Sequence, residues 1–303
     1  MRLRPFALAE PESLPEAVEI LARLDGESRV ISGGTTLVPT MRLGLIQPDR
    51  LVSLHRIAGL GRIGTERGTL EVGGMATLAA LARHDTVKSG WPLLAQAAAR
   101  VASPAIRSTA TLGGTLCYAE PASDPAPALL CLEAQVRVAD SVGPRVVPIG
   151  EFFVGFYETA VAAGEILTGV RVPAMPAGAR TGYIKFCPRS AEDKPLIGIA
   201  ALLVLDEANR VTDIRIGLGA AAPTPIRARR AETLLRGEAL TDAIIGAAAE
   251  TAAGEAEPLS DLMGSADYRR AMIRVWLRRL LRSLRGKDDE AGDPALASSA
   301  PCR

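Results

Sequence analysis

The chain has 303 residues, room for about two domains, and 48 % of them are hydrophobic while only 4 % are aromatic. Lys and Arg number 35 against 34 Asp and Glu, a formal net charge of +1, which leaves nucleic acid and a membrane surface without support as bulk partners. No apolar run reaches the length of a bilayer span and the first residues lack a signal peptide's apolar stretch, so the expectation is a cytoplasmic protein with a sizeable aliphatic core.

Ser13 to Glu16 has the capping-box pattern, Ser followed three residues later by Glu. It predicts a helix with Leu14, Val18 and Leu21 on one face, ended by Asp25 and Gly26. A short strand follows over 29–32 and delivers a Ser-Gly-Gly-Thr-Thr turn at Ser32, Gly33, Gly34, Thr35 and Thr36. Leu37, Val38, Met41, Leu43 and Leu45 then form a helix or turn. The stretch 51–54 reads as a second strand, and 61–64 with 69–73 as a hairpin about Glu66, Arg67 and Gly68. Thr77 caps a helix through Leu78 and Leu81, and 91–101 is an alanine-rich helix. Strands are predicted at 135–138 and 165–172. The Pro and Gly cluster at 173–180 marks a domain boundary.

Beyond it, 183–186, 200–205 and 211–218 read as three strands, the last two an antiparallel hairpin across Asn209 and Arg210. Helices are predicted at 226–235, 241–250 and 266–284. The order suggests α+β architecture in both domains rather than one doubly wound sheet. The last helix carries Ile273, Trp276, Leu277, Leu280, Leu281 and Leu284 at helical spacing, with arginines filling the rest. This is a core-facing stripe with a solvated basic face; a docking face for an acidic partner is the sharper alternative. The tail over 286–303 is expected to be disordered.

The four cysteines, Cys117, Cys131, Cys187 and Cys302, are separated by 14, 56 and 115 residues. No C-x-x-C pair occurs, so small buried thiols are expected rather than a zinc or iron–sulfur site. His55 and His84 are the only histidines, and no side chain is assigned as a catalytic acid or base.

The chain is organised around 110–124, ATLGGTLCYAEPASD. Gly113 and Gly114 lie between Thr111 and Thr115, and Asp124 closes the run ten residues after Gly114. Glycine pairs serve where a backbone must take φ > 0 or lie against a ligand. Threonine hydroxyls and free N–H groups suit a pyrophosphate, and a nearby acid suits a hydroxyl donor. The Ser32–Thr36 turn repeats this chemistry, so the two could grip one diphosphate from two sides. Neither follows G-x-G-x-x-G or a G-K-[ST] phosphate loop.

With these motifs the chain resembles the FAD-binding medium subunit of the molybdenum hydroxylases, the xanthine dehydrogenase and carbon monoxide dehydrogenase family. The first family motif, A/S-G-G-T-x-L then M-K/R-L-G-L, matches 32–37 and 41–45. The second, A-T-I/L-G-G-N then P-x-S-D, matches 110–115 and 121–124. The resemblance implies a two-subdomain FAD-binding (PCMH-type) domain over 1–175. An α+β domain over 180–285 would follow, with a three-stranded antiparallel sheet and a helix bundle. It implies that Ser32 to Leu37 and Thr111, Gly113, Gly114 and Thr115 cradle the FAD pyrophosphate through backbone N–H groups. Asp124 would accept hydrogen bonds from the cofactor, Leu167 would pack near the flavin, and Lys185 would stand at its ring or polar edge.

Three departures stand out. Thr36 replaces a frequent Asp, Thr115 replaces a frequent Asn, and Val101 lies where some relatives place an aromatic. The wording around 84–117 also resembles the β subunit of 4-hydroxybenzoyl-CoA reductase, but the cluster-bearing insertion of that subunit is absent. As for function, the resemblance implies a relay in which a large molybdopterin subunit performs the substrate chemistry. A small subunit with two [2Fe–2S] clusters passes electrons to FAD on this chain, and the assembly is a dimer of heterotrimers. A structural subunit that has lost flavin and a self-contained flavin reductase are the competing readings.

Overall fold

The computed structural model describes residues 3–23 and 28–286. The predicted helix end at Asp25 and Gly26, Cys302, and the expected disordered tail past Gly286 lie outside the described residues.

The first lobe runs β1 (Ala7–Ala9), α1 (Leu14–Ala22), β2 (Ser28–Ile31), α2 (Leu37–Arg42) and β3 (Arg50–Ser53). Strand β3 lies between β1 and β2 and is parallel to both. Parallel neighbours need crossover connections, and α2 supplies the one between β2 and β3. The predicted cap of α1 forms: Ser13 Oγ accepts the N–H of Glu16, and the Glu16 carboxylate accepts the N–H of Glu12. Ala17 and Val18 of α1 are buried in one cluster with Val52 and Leu54.

The second lobe begins with β4 (Ile63–Glu66) and β5 (Thr69–Gly73), the predicted hairpin. Its two turn residues, Arg67 and Gly68, have φ of 49° and 80°, the left-handed pair that a two-residue hairpin turn requires. Six short helices follow: α3 (Leu78–Arg83), α4 (Asp85–Gly90), α5 (Pro92–Ala99), α6 (Pro104–Thr109), α7 (Leu112–Tyr118) and α8 (Pro125–Cys131). Then come β6 (Gln135–Ala139), β7 (Pro144–Pro148), α9 (Ile149–Phe152), β8 (Phe153–Gly155), β9 (Glu158–Thr159) and β10 (Ile166–Val172). The antiparallel sheet has the order β4-β5-β10-β6-β7. Late strand β10 inserts between β5 and β6, and just before it Glu165 pairs with Arg145 of β7.

The third lobe holds β11 (Arg180–Phe186), β12 (Ile197–Leu205), β13 (Val211–Gly219) and β14 (Ile226–Arg227), then α10 (Arg229–Leu235), α11 (Asp242–Glu255) and α12 (Ala266–Arg285). The three expected strands are present and antiparallel. The helix predicted over 226–235 is corrected at its start. Ile226 and Arg227 pair with Leu218 and Gly217 as a short fourth strand, and helix begins only at Arg229. Ile226 is β-branched and follows Pro225, and its backbone completes the β13 edge instead of opening a helix.

The third sheet has two buried faces. Tyr183, Ala200 and Leu202 join the core of the second lobe, while Ile184, Ile199, Ala201 and Leu203 pack under the three helices. Helix α8, buried at every residue, lies against the first face. A Cβ on Gly217 of β13 would stand 2.3 Å from the Pro127 carbonyl oxygen, so this contact admits only glycine. On α12 the predicted stripe is buried at Ile273, Leu277, Leu280, Leu281 and Leu284 and half-buried at Trp276. Its arginines are not left as an open basic face: Arg274 and Arg278 share Glu250, and Arg282 and Arg285 share Asp242, both acids of α11.

Candidate functional site

A cavity of about 490 Å³ opens where the three lobes meet, within the usual range for small-molecule sites. Ser32, Gly33, Gly34, Thr35, Thr36 and Leu37 line it from the end of β2. Thr111, Gly113, Gly114, Thr115 and Asp124 line it from α7 and the turn before α8, Leu167 from β10, and Lys185 from β11. The cavity thus brings together every residue that the resemblance assigns to the cofactor. Val101, the position without an aromatic, is in the same wall.

The two glycine motifs touch directly but do different work. In the first, Gly34 has φ of 65°, and a Cβ on Gly33 would stand 2.2 Å from the Thr109 carbonyl oxygen. Among the described residues, no acceptor meets the N–H groups of Gly33, Gly34, Thr35 or Thr36; the first bonded donor after the turn is Val38. Successive unpaired N–H groups form an anion-binding concavity.

In the second motif the backbone N–H groups already have partners. Thr111 is the N-cap of α7 and its Oγ1 accepts the Gly114 N–H at 3.0 Å. The N–H groups of Leu112, Gly113 and Thr115 donate to the carbonyls of Ala76, Gly74 and Thr111. A cradle built from the N–H groups of Gly113, Gly114 and Thr115 is therefore already filled by the protein. Their glycines answer a packing need. A Cβ on Gly113 would meet the Gly74 oxygen at 2.7 Å, and one on Gly114 would meet Ser32 Oγ at 2.6 Å. Thr115 Oγ1 likewise donates to the Thr111 carbonyl.

At the third wall Asp124 is 4 % exposed and accepts from Tyr183 Oη at 2.7 Å and from Lys185 Nζ at 3.2 Å. Lys185, whose side chain is 3 % exposed, also donates to the Arg100 carbonyl at 2.8 Å. Burial pushes the Asp124 carboxyl up to about 6, against the opposing pull of Lys185 and of the Tyr183 hydrogen bond. The Tyr183 hydroxyl is driven well above its ordinary value by burial and by the adjoining carboxylate. Cys117 is exposed and lines the cavity, so the expectation of small buried thiols holds for Cys131 and fails for Cys117.

Sequence reasoning gave no role to Tyr183 or to Ser123, although Ser123 stands in the P-x-S-D motif. Tyr183 carries a legible signal, since residues two apart on a strand share a face and Lys185 was already chosen. Ser123 lines the cavity while its Oγ is buried and meets no partner among the described residues. Leu167 is 5 % exposed and sits at an irregularity in the pairing of β10 with β6. At the rim, Glu120 accepts from Tyr157 Oη and from Lys194, and Lys194 lies over the Tyr118 ring. Among the described residues no His, Cys, Asp and Glu group suits a metal ion, and no helix is long and apolar enough to cross a membrane.

This combination of lobes and glycine motifs defines a flavin-binding subunit of the molybdopterin dehydrogenases. The model of the FAD binding domain in molybdopterin dehydrogenase matches residues 4–175, and that of the CO dehydrogenase flavoprotein C-terminal domain matches 182–284. The chain belongs to this family and is a flavoprotein subunit of a molybdenum hydroxylase-type oxidoreductase. It is 34 % identical to the carbon monoxide dehydrogenase medium chain of Hydrogenophaga pseudoflava, over 92 % of this chain and 96 % of that one. It is also 34 % identical to the nicotine 6-hydroxylase medium subunit of Paenarthrobacter nicotinovorans, over 93 % and 98 %. Among solved structures, the Hydrogenophaga pseudoflava enzyme superimposes with a TM-score of 0.90 over 94 % of this chain and 98 % of that one. Quinoline 2-oxidoreductase of Pseudomonas putida 86 gives 0.89 over 94 % and 98 %, at 32 % identity.

The residues present fit FAD. The first motif offers unpaired N–H groups for a diphosphate, and the orphaned Ser123 hydroxyl is a buried polar atom still to be satisfied.

Proposed function

We propose that this chain holds one FAD in the cavity between its lobes and works as the electron-transfer subunit of a molybdopterin-dependent oxidoreductase. FAD supplies the ability to exchange one or two electrons, while the protein supplies position and electrostatics. The observation that carries the reading is the run of unpaired N–H groups at 33–36 in the same cavity as a buried cation. Gly33 to Thr36 would hold the pyrophosphate, with Ser32 and Leu37 bounding the turn. Thr111, Gly113, Gly114 and Thr115 would shape the surface on which it lies. Asp124 would face the polar chain, and Leu167 and Lys185 the flavin. The working units are 1–175, which supplies the glycine motifs, Asp124 and Leu167, and 180–285, which supplies Lys185.

The partners in this reading are a small subunit with two [2Fe–2S] clusters and a large molybdopterin subunit, assembled as a dimer of heterotrimers. Electrons would pass from the clusters through this chain to an external acceptor.

Denaturing the purified protein should release a yellow compound that chromatographs as FAD, one per chain. Co-expression with the small and large subunits should give a stable complex in which substrate bleaches the flavin through the iron–sulfur centres. Release of FMN, or of no flavin from folded protein, would overturn the assignment. Full-rate flavin reduction by the complex's organic substrate with the isolated chain would replace the relay by a self-contained reductase.

A further inference from the structure

We propose that Tyr183 is a positioning residue for the bound flavin: its hydroxyl fixes Asp124, and through Asp124 it fixes the Lys185 ammonium at the cavity wall. The inference rests on the FAD reading above.

Strand alternation puts positions 183 and 185 on one face of β11, and both side chains reach the same carboxylate, one to each oxygen. The Arg100 carbonyl is the second anchor of Lys185. The ring of Tyr183 is packed in the second lobe's core with Ala200 and Leu202, a place that phenylalanine would fill equally well. A hydroxyl in such a core persists when it is bonded, and this one has a single partner, Asp124. The neighbouring strand is cleared for it. Gly198 is the register partner of Lys185, and a Cβ there would stand 2.8 Å from Tyr183 Oη.

Without the Tyr183 hydroxyl, Asp124 keeps Lys185 as its only bonded donor. The other titratable groups near it are Arg100 and the Cys187 thiol. The carboxylate then regains freedom to turn, and Lys185 loses half of its fixed geometry. A cation held at the wall favours the more negative, reduced form of a redox group bound there. How firmly it is held should therefore appear in that group's reduction potential.

The test compares the wild-type full chain with Tyr183→Phe, Gly198→Ala, the double variant and Lys185→Met at pH 8, above the Asp124 titration. In flavin-free protein, modification of Lys185 by an amine-reactive reagent is followed by peptide mass spectrometry. Tyr183→Phe should label about fivefold faster than wild type, and Gly198→Ala, which displaces the hydroxyl, should do the same. The double variant should add nothing further, because both changes break one contact. In FAD-loaded protein, Lys185→Met should lower the flavin potential. Tyr183→Phe should lower it less, by about fivefold in the oxidised-to-reduced equilibrium, roughly 20 mV for a two-electron couple. Wild-type labelling and potential in Tyr183→Phe, with Lys185→Met still shifted, would overturn the proposal. Failure of the wild type to bind FAD would sink the proposed function alone, since the labelling arm decides the role of Tyr183 without flavin.

Discussion

The hydroxyl of Thr111 donates to the hydroxyl of Ser32 at 3.1 Å, joining residues 79 positions apart. Through this bond the cap of α7 and the first glycine turn form one wall. Thr111 is itself 3 % exposed and also holds the Gly114 N–H, so its oxygen is the hinge pin of both motifs.

The glycines of this wall should fail in a definite order. Gly33→Ala drives a Cβ onto the Thr109 backbone oxygen at 2.2 Å, which only a backbone shift relieves. Gly114→Ala meets side-chain oxygens at 2.6 and 3.0 Å, which can rotate away. Gly34→Ala meets the Ile31 side chain at 3.3 Å, which can give by a few tenths of an ångström, and φ of 65° costs about 1 kcal/mol. Urea unfolding should rank Gly33→Ala the most damaging, at about 3 kcal/mol or more. Flavin titration should show weaker FAD binding in all three variants.

Asp124 makes stability depend on pH. Its folded value is raised to about 6, above the ordinary 3.8. The folded protein therefore binds the proton more tightly than the unfolded chain. The stability this contributes is fully present below pH 3.8 and lost as pH rises through about 6. Two units correspond to about 3 kcal/mol. The stability of wild type minus that of Asp124→Asn, from urea unfolding, should fall across pH 4–6 and level off above. A flat difference would refute the assignment.

Cys117 and Cys131 should differ in reactivity. Cys117 is exposed at the cavity while Cys131 is buried, and access governs thiol modification. Iodoacetamide should alkylate Cys117 in native, flavin-free protein and reach Cys131 only after denaturation, as read by peptide mass spectrometry. Cys117→Ser should leave flavin content unchanged.

Charge pairs should divide sharply by burial. Arg227 and Glu232 meet at 2.5 Å with side chains 6 % and 2 % exposed. Glu232 also accepts the Ile216 N–H, and Arg227 donates to the Leu130 carbonyl of α8. Arg227→Met should cost about 3–5 kcal/mol, because it strands a buried carboxylate. Breaking the exposed Arg282–Asp242 pair by Arg282→Met should cost about 1 kcal/mol or less. Denaturation midpoints compared at equal cooperativity decide both.

Much of this was legible in the sequence, where the pattern was long or locally strong. The α12 stripe, the Glu66–Gly68 hairpin and the Ser13 cap all rest on neighbours in the chain. Helices α4, α6, α7 and α8 escaped because six or seven residues show barely two turns of periodicity. Signals for two of them were present in Ser103-Pro104 and Asp124-Pro125, each a polar residue before a proline at the first helical position. At the site, residue choice was readable but role was not. Gly33 and Gly113 look alike in sequence. Only the approach of Gly74 from 39 positions away shows that Gly113 has already given its N–H to a carbonyl. Tyr183 was passed over because its partner, Asp124, lies 59 positions distant.

The carboxylate and the ammonium of the Asp124–Lys185 pair come from different matched segments, 4–175 and 182–284. A fragment cut between them would keep Asp124 and lose the strand that neutralises it. It would also bare the face of α8 that β13 covers and abandon the Leu130 and Cys131 carbonyls that Arg227 and Arg215 reach. The seam thus makes the two segments mutual chaperones: neither half offers the other's buried charges and carbonyls a substitute in water. For anyone building chimaeras within this family, the unit of exchange is the whole chain and not the segment.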